Sequence, residues 1–157
     1  PQALIVKQGA KIMSLQEPTK KMSKSDENIN ASVHLSDDKD TVIRKFRRAV
    51  TDSDNRIIAS EEKAGVTNLL TIYCAFRGCT LEEAQKEFEG KGYGDFKLAV
   101  GETVADAIAP VQAEQKRLLA DKAYLSGVLK EGAERAFRTA RRTLNKVYRK
   151  VGFYQGE

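Results

Sequence analysis

The fold class is decided by residues 66–78, VTNLLTIYCAFRG. Six large apolar side chains lie in this stretch, and they are too many for one exposed face of a helix. They are Val66, Leu69, Leu70, Ile72, Tyr73 and Phe76. Gly78 supplies a stop, because glycine readily ends a helix in the left-handed conformation. We therefore predict that this segment is a helix and the most buried element of the chain.

A basic amphipathic helix is predicted before this stretch. Asp37 and Asp38 are good N-caps, because their carboxylates accept hydrogen bonds from the first free amides of a helix. An apolar stripe at three- and four-residue spacing follows, formed by Val42, Ile43, Phe46 and Val50. The opposite side carries Arg44, Lys45, Arg47 and Arg48.

A short helix and a loop are predicted after the central stretch. Thr80 and Glu83 have the spacing of a capping box, which starts a helix that runs to about Phe88. Residues 90–94, GKGYG, are predicted to be a loop because of their three glycines.

Further helices are predicted in the last third of the chain. One carries Phe96, Val100, Val104 and Ile108 at a four-residue period, and Pro110 either kinks it or starts a new segment. Residues 124–132, YLSGVLKEG, are predicted to form a shorter helix that ends at Gly132. The last helix has an apolar seam of Phe137, Ala140, Leu144, Val147 and Val151.

The whole pattern predicts an all-α bundle of five to six helices. Two extended pieces are expected in front of it, at residues 3–6 (ALIV) and 12–15 (IMSL). The length of 157 residues suits one domain, and the 41% apolar content is typical of soluble proteins. The sequence shows no apolar run of membrane-spanning length and no export leader, and because it does not begin with Met we expect a fragment of a longer cytoplasmic protein.

Charge favours a polyanionic partner, and metal ligands are scarce. The net charge is +5, and between Gly132 and Lys150 seven basic residues stand against one acid. The chain has one histidine, His34, and two cysteines, Cys74 and Cys79, whose spacing fits no zinc motif. We therefore predict no metal site, and free thiols in a reducing compartment.

A loop at residues 18–28, PTKKMSKSDEN, carries the clearest chemistry. Lysines neutralise phosphate charge and serine hydroxyls donate to phosphate oxygens, so together they can hold a polyphosphate whose charge changes during a reaction. The glycine framework of a P-loop is lacking, so we expect lysines on a mobile loop that closes over a leaving group.

Residues 21–25, KMSKS, are identical to the signature of class I aminoacyl-tRNA synthetases. The flanking segments GAKIMSLQEPTKKMSKSDEN, FRRAVTDS, AGVTNLLTIY and EFEGKGYGDFK resemble the C-terminal part of the bacterial tryptophanyl-tRNA synthetases, in that order. The resemblance covers about residues 4 to 153. It implies a parent enzyme that activates tryptophan with ATP and then transfers it to tRNA.

By this resemblance the loop binds the phosphates of ATP. Lys21 and Lys24 would be catalytic, with Lys24 the better candidate for stabilising the pyrophosphate leaving group. Ser23 and Ser25 would hydrogen-bond phosphate oxygens or shape the loop. Magnesium is expected with the ATP.

The resemblance also implies an adenine contact and a missing half of the active site. Met22 would lie near adenine through its backbone, and Ile12 would give an apolar contact to the base. Lys11 stands where many relatives have arginine. The second ATP motif of the family, which contains a Gly-His pair, is absent, as is the tryptophan pocket. We therefore expect this chain alone to be inactive.

Two domains follow from the resemblance. Residues 1–36 would be the C-terminal edge of the Rossmann-like catalytic domain, and residues 37–157 an anticodon-binding-type helical domain for tryptophan tRNA. Arg138 and Arg142, four apart, would lie on one tRNA-facing surface. The family resemblance also implies a homodimeric parent. A free-standing basic RNA-binding module stays the alternative, although such a module has no reason to carry the loop. A purely structural bundle would bind polyanions without a steep salt dependence.

Overall fold

The computed structural model describes residue 3 and residues 9–154. Over these residues the chain forms five α-helices and no strand, which confirms the all-α class. The helices are α1 (Lys39–Arg47), α2 (Ala64–Arg77), α3 (Leu81–Glu87), α4 (Tyr93–Ala120) and α5 (Lys122–Val151), with one 3₁₀ turn at Glu61–Lys63. Most of the extended piece predicted at residues 3–6 lies outside the described residues.

The chain divides into two compact units, Pro1–Gln112 and Ala113–Glu157. In the first unit the loop segment and helices α1 to α4 share one apolar core. Its largest fully buried side chains include Leu15, Phe46, Leu70, Phe88 and Phe96. The predicted domain boundary between residues 36 and 37 stays a prediction.

Helix α2 has more buried side chains than any other helix in the described part of the chain. Leu69 and Leu70 are almost completely buried, and Gly78 ends the helix at φ 69° in the left-handed region, as predicted. Phe76 differs from the prediction, because 48% of its surface is exposed on the outer side of the helix.

Of the two aspartates predicted as N-caps of α1, Asp38 takes that position and Asp37 does not, and the predicted capping box of α3 is confirmed. The Asp38 side chain accepts a hydrogen bond from the Thr41 amide at the start of α1. Thr80 and Glu83 form a reciprocal capping box at the start of α3, with distances of 2.8 and 3.2 Å. These contacts depend only on neighbours within four residues, so local sequence is enough to specify them.

Several predicted helix limits are wrong. Val50 lies beyond the end of α1 and is exposed, because the chain turns at Arg48 and leaves the helix. Helix α4 begins at Tyr93, inside the predicted glycine loop. It continues through Pro110, so of the two alternatives for this residue the start of a new segment is wrong. Gly132 lies inside α5, so the two predicted C-terminal helices are one. An interior glycine costs a helix only about 1 kcal/mol, which the neighbouring turns can offset.

Candidate functional site

The predicted ATP residues lie on a short hairpin. Met13 and Lys21 form an isolated antiparallel bridge, and the amide of Met22 donates to the carbonyl of Ile12 at 3.0 Å. These contacts set the side chains of Ile12 and Met22 side by side. Both border an apolar pocket of about 330 Å³, which Val33 and other apolar side chains complete.

A tight turn closes the hairpin. The amide of Ser14 donates to the carbonyl of Lys20 at 2.8 Å, and the amide of Lys20 donates to the carbonyl of Glu17 at 2.9 Å. Lys20 and Glu17 also form an exposed ion pair of 2.8 Å. Lys20 is thereby neutralised by a neighbour, in contrast to the two lysines that follow it.

The loop beyond the hairpin presents its cations to solvent. Lys21 and Lys24 are exposed, and neither forms an ion pair with any carboxylate of the described residues. The hydroxyls of Ser23 and Ser25 lie 3.1 Å apart, and the amide of Ser25 donates to the Ser23 hydroxyl at 3.3 Å. Two unpaired cations and two exposed hydroxyls, which bond each other, are therefore accessible to an anion from outside.

A buried amide holds the first strand-like leg of the hairpin. Asn68 of α2 is 5% exposed, and its side chain pairs with both backbone groups of Met13. Its Oδ1 accepts from the Met13 amide at 2.9 Å, and its Nδ2 donates to the Met13 carbonyl at 2.8 Å. Asn68 thus replaces the neighbouring strand that an extended segment would otherwise need.

A buried lysine holds the segment that follows the loop. Lys45 of α1 is 5% exposed, so its predicted place on the solvent-facing basic side of that helix is wrong. Its Nζ lies 2.6 Å from Oδ2 of Asp37 and donates to the Ser32 carbonyl at 2.9 Å. The partners come from the non-helical segment just before α1, so helical spacing alone does not reveal them. His34 contributes its amide to the same Asp37 carboxylate at 2.8 Å.

Two sets of arginines lie outside the loop. Arg138 and Arg142 are exposed on α5, one turn apart, as predicted from their spacing. At the end of α1, Arg44, Arg47 and the C-cap residue Arg48 border a groove of about 540 Å³ together with Ile43 and one acid, Asp40. We call this the arginine groove.

A polar network around residues 52–63 was not predicted from the sequence. Lys63 Nζ lies 2.9 Å from Asp52 Oδ1 and 2.6 Å from Asp54 Oδ2, and the Tyr93 hydroxyl donates to Asp52 at 2.7 Å. Burial opposes the charge on Asp52, but the hydrogen bonds from Tyr93 and Lys63 outweigh it and lower the pKa of Asp52 to about 2. The network fixes the turn after α1 to the start of α4.

The cysteines are unpaired and lie in apolar or half-buried surroundings. Cys74 is buried, Cys79 is half-buried, and burial raises the pKa of the Cys74 thiol to about 12, helped by its neighbour Cys79. In the part of the chain that the structure describes, no three His, Cys, Asp or Glu side chains lie together as a metal site would require. None of the described helices combines the length and the apolar character needed to cross a membrane.

Residues 1–109 match the model of the family described as "tRNA synthetases class I (W and Y)", which is more than half of the chain. This chain belongs to that synthetase family. The match includes the hairpin, the KMSKS loop and both of the buried side chains that hold them. The family resemblance predicted from the loop and its flanks is thereby confirmed.

Relatives named tryptophan–tRNA ligase match almost the whole synthetase chain. The protein of Clostridium perfringens is 45% identical over 152 residues, which are 97% of this chain and 46% of the relative. The protein of Enterococcus faecalis is 47% identical over 153 residues, 97% of this chain and 45% of the relative. The chain thus spans about half the length of the curated relatives it matches.

Solved structures of tryptophanyl-tRNA synthetases share the fold of this synthetase chain. The Mycoplasma pneumoniae structure has a TM-score of 0.69 at 36% identity, and the match covers 97% of this chain and 46% of the Mycoplasma chain. The Campylobacter jejuni structure has a TM-score of 0.70 at 25% identity, with the same coverage, and that protein is complexed with ADP and tryptophan.

Proposed function

We propose that this chain is the C-terminal part of a tryptophan–tRNA ligase, to which it supplies the ATP-phosphate loop and tRNA-binding helices. One observation carries the proposal. The KMSKS lysines are exposed without an ion-pair partner among the described residues: Lys21 lies on the hairpin that is fixed to the helical core, and Lys24 lies in the loop that follows it. The neighbouring Lys20 is paired with Glu17, whereas the charges of these two lysines are available, and ammonium groups on an anchored loop suit an anionic ligand such as phosphate.

The proposed reaction needs these cations at the leaving group. A carboxylate oxygen of tryptophan attacks the α-phosphorus of ATP and forms a new P–O bond. The bond from that phosphorus to the bridging oxygen breaks, and its electron pair leaves with pyrophosphate. Lys24 acts on the charge that develops on pyrophosphate, Lys21 helps to bind the phosphates, and Ser23 and Ser25 donate hydrogen bonds to their oxygens or shape the loop.

The adenine end of the site is assigned to Ile12 and Met22. Their backbones are hydrogen-bonded to each other and their side chains border the same apolar pocket, which supports a common role toward one ring. Mg²⁺ would accompany the phosphates of ATP and neutralise part of their charge. The tryptophan pocket and the second phosphate-binding surface belong to the other half of the proposed enzyme, whose relatives act as homodimers by family resemblance.

The helices are assigned to tryptophan tRNA. Arg138 and Arg142 present two guanidinium groups on one side of α5, and the arginine groove presents three more at the C-terminal end of α1. Guanidinium groups pair well with phosphate oxygens, and such contacts give affinity without reading sequence. Both surfaces are therefore proposed to contact the RNA backbone.

The test is amino-acid-dependent exchange between ATP and pyrophosphate, measured on the product of the full reading frame with tryptophan and tyrosine side by side. Exchange with tryptophan alone is expected. Exchange with tyrosine would mean that the chain belongs to a class I synthetase that activates tyrosine and not tryptophan. Absence of exchange with both, together with salt-sensitive RNA binding, would instead identify a helical RNA-binding module.

A further inference from the structure

We propose that Lys45 and Asn68 are positioning residues. They hold the backbone segments before and after the KMSKS loop, so that the lysines of the loop are correctly placed to contact ATP. The inference rests on the proposed function of the loop. Neither side chain would touch ATP. Each is buried and polar and bonds the backbone of a segment next to the exposed residues 23–29. Asn68 bonds the segment before these residues, and Lys45 bonds the segment after them.

Asn68 fixes the leg that enters the loop. It binds the amide and the carbonyl of Met13, and Met13 is the bridge partner of Lys21. Any shift of Met13 along α2 therefore moves the backbone of a proposed catalytic lysine. An apolar side chain at position 68 would leave the amide and the carbonyl of Met13 without these bonds at a partly buried position, which favours such a shift.

Lys45 fixes the leg that leaves the loop. Its ammonium joins the Ser32 carbonyl to the Asp37 carboxylate, and that carboxylate also accepts the amide of His34. The two legs are tied to each other as well, because the amide of Leu15 donates to the carbonyl of Ala31 at 2.9 Å. Both ends of the loop thus have a fixed separation.

Stability alone is a poor explanation for this use of a lysine. Burying an ion pair costs desolvation that its attraction only partly offsets, and well-packed apolar residues of similar volume often stabilise a protein as much. An ion pair that bonds a specific carbonyl does, however, select one backbone geometry. Displacement of a reacting group by about 1 Å can cost on the order of 100-fold in rate.

The first experiment measures tryptophan-dependent exchange for Lys45→Met and Asn68→Asp in the full-length protein. We expect kcat to fall about 10- to 100-fold, with a smaller change in the KM for ATP. Asn68→Asp keeps an acceptor for the Met13 amide but loses the donor to its carbonyl. Lys39→Met is the matched control, since Lys39 lies on the same helix and forms only an exposed ion pair with Asp106; its kcat should be unchanged.

The deciding experiment repeats each variant in a Lys24→Ala background. If Lys45 and Asn68 act through the loop, the combined loss of kcat will be much smaller than the product of the two separate losses. A combined loss equal to that product overturns the proposal, and so does an unchanged kcat in the single anchor variants. Melting curves identify any variant that does not fold. If the variant at Lys45 or at Asn68 does not fold, the proposal is decided by the variant at the other residue. Should Lys24→Ala itself leave kcat unchanged, the proposed role of the loop fails instead.

Discussion

Lys24 is the residue on which the proposed chemistry depends most. Its side chain is exposed and forms no ion pair within the described residues, so nothing in the fold needs its charge. Lys24→Ala in the full-length protein should lower kcat of exchange about 100-fold and change the KM for ATP much less, because the lysine acts on charge that develops in the transition state. Lys20→Ala is the control, since Lys20 already pairs with Glu17. An increase in KM at constant kcat would contradict the assignment.

Asp52 gives a prediction on pH. Its pKa is lowered from 3.8 to about 2 in the folded protein, because hydrogen bonds from Tyr93 and Lys63 outweigh the opposing effect of burial. The stabilisation that goes with this shift is therefore complete above about pH 4, and it is lost as the pH falls toward 2. In melting curves from pH 7 to 2, Asp52→Asn should lower the melting temperature most at neutral pH and converge on the wild-type value at the acid end.

A matched carboxylate separates this effect from general acid denaturation. Glu89 is an exposed carboxylate that forms no ion pair with the described residues, so Glu89→Gln should not reproduce the pH-dependent loss expected of Asp52→Asn. If Asp52→Asn shifts the whole profile by the same amount at every pH, the hydrogen bonds of Asp52 do not depend on its charge.

At the scale of elements, the start of α2 is packed against the chain just after α1. A Cβ atom added to Gly65 would lie 2.1 Å from the carbonyl oxygen of Val50, which is backbone and cannot rotate away. Gly65→Ala should therefore reduce the free energy of unfolding by about 1–3 kcal/mol, as overpacked sites do. Chemical denaturation of the full-length protein measures the change.

Gly127 of α5 is the control for this substitution. Nothing lies within 4 Å of a Cβ atom placed there, so Gly127→Ala should stabilise its helix by up to about 1 kcal/mol. Equal effects of the two substitutions would mean that helix propensity, and not the contact with Val50, governs position 65.

The sequence predicted elements well where the decisive contacts are local. Asp38, Thr80 and Gly78 bond within their own helix ends, and each was placed correctly. Gly132 was misread as a helix end, because the sequence does not show whether the adjacent turns carry the helix through a weak position. For Pro110 the sequence left two alternatives open, and the structure places it inside α4.

The candidate site was predicted unevenly for the same reason. The loop lysines are a contiguous motif, so they could be found without a structure. Lys45 and Asn68 could not, because their partners are 8 to 13 residues away for Lys45 and 55 residues away for Asn68. Charge pattern placed Lys45 on the exposed basic side of α1, whereas tertiary contacts bury it.

At the scale of the whole molecule, RNA binding should depend on salt. The double substitution Arg138→Ala with Arg142→Ala should weaken binding of tryptophan tRNA and reduce the slope of log affinity against log salt by about 1 to 2. Arg117→Ala is the control, because Arg117 is already bound by both oxygens of Glu114. Unchanged affinity and slope in the double variant would remove α5 from the RNA surface.

Catalysis should require more than this chain. The proposal assigns the loop cations and an apolar contact for adenine to this chain, and it places the tryptophan pocket in the other half of the enzyme. The purified 157-residue chain should therefore show no tryptophan-dependent exchange, even where it folds and binds RNA. Exchange by this chain alone would show that its own residues form a complete amino-acid site.

The pairing of Asn68 with Met13 has an evolutionary consequence. Because Asn68 binds only the backbone of residue 13, the bond does not depend on which side chain stands there. Selection can therefore keep asparagine at position 68 while the side chain at position 13 varies. The two positions should show no covariation across the family. Methods that infer contacts from correlated substitutions would overlook the bond that holds the loop in place.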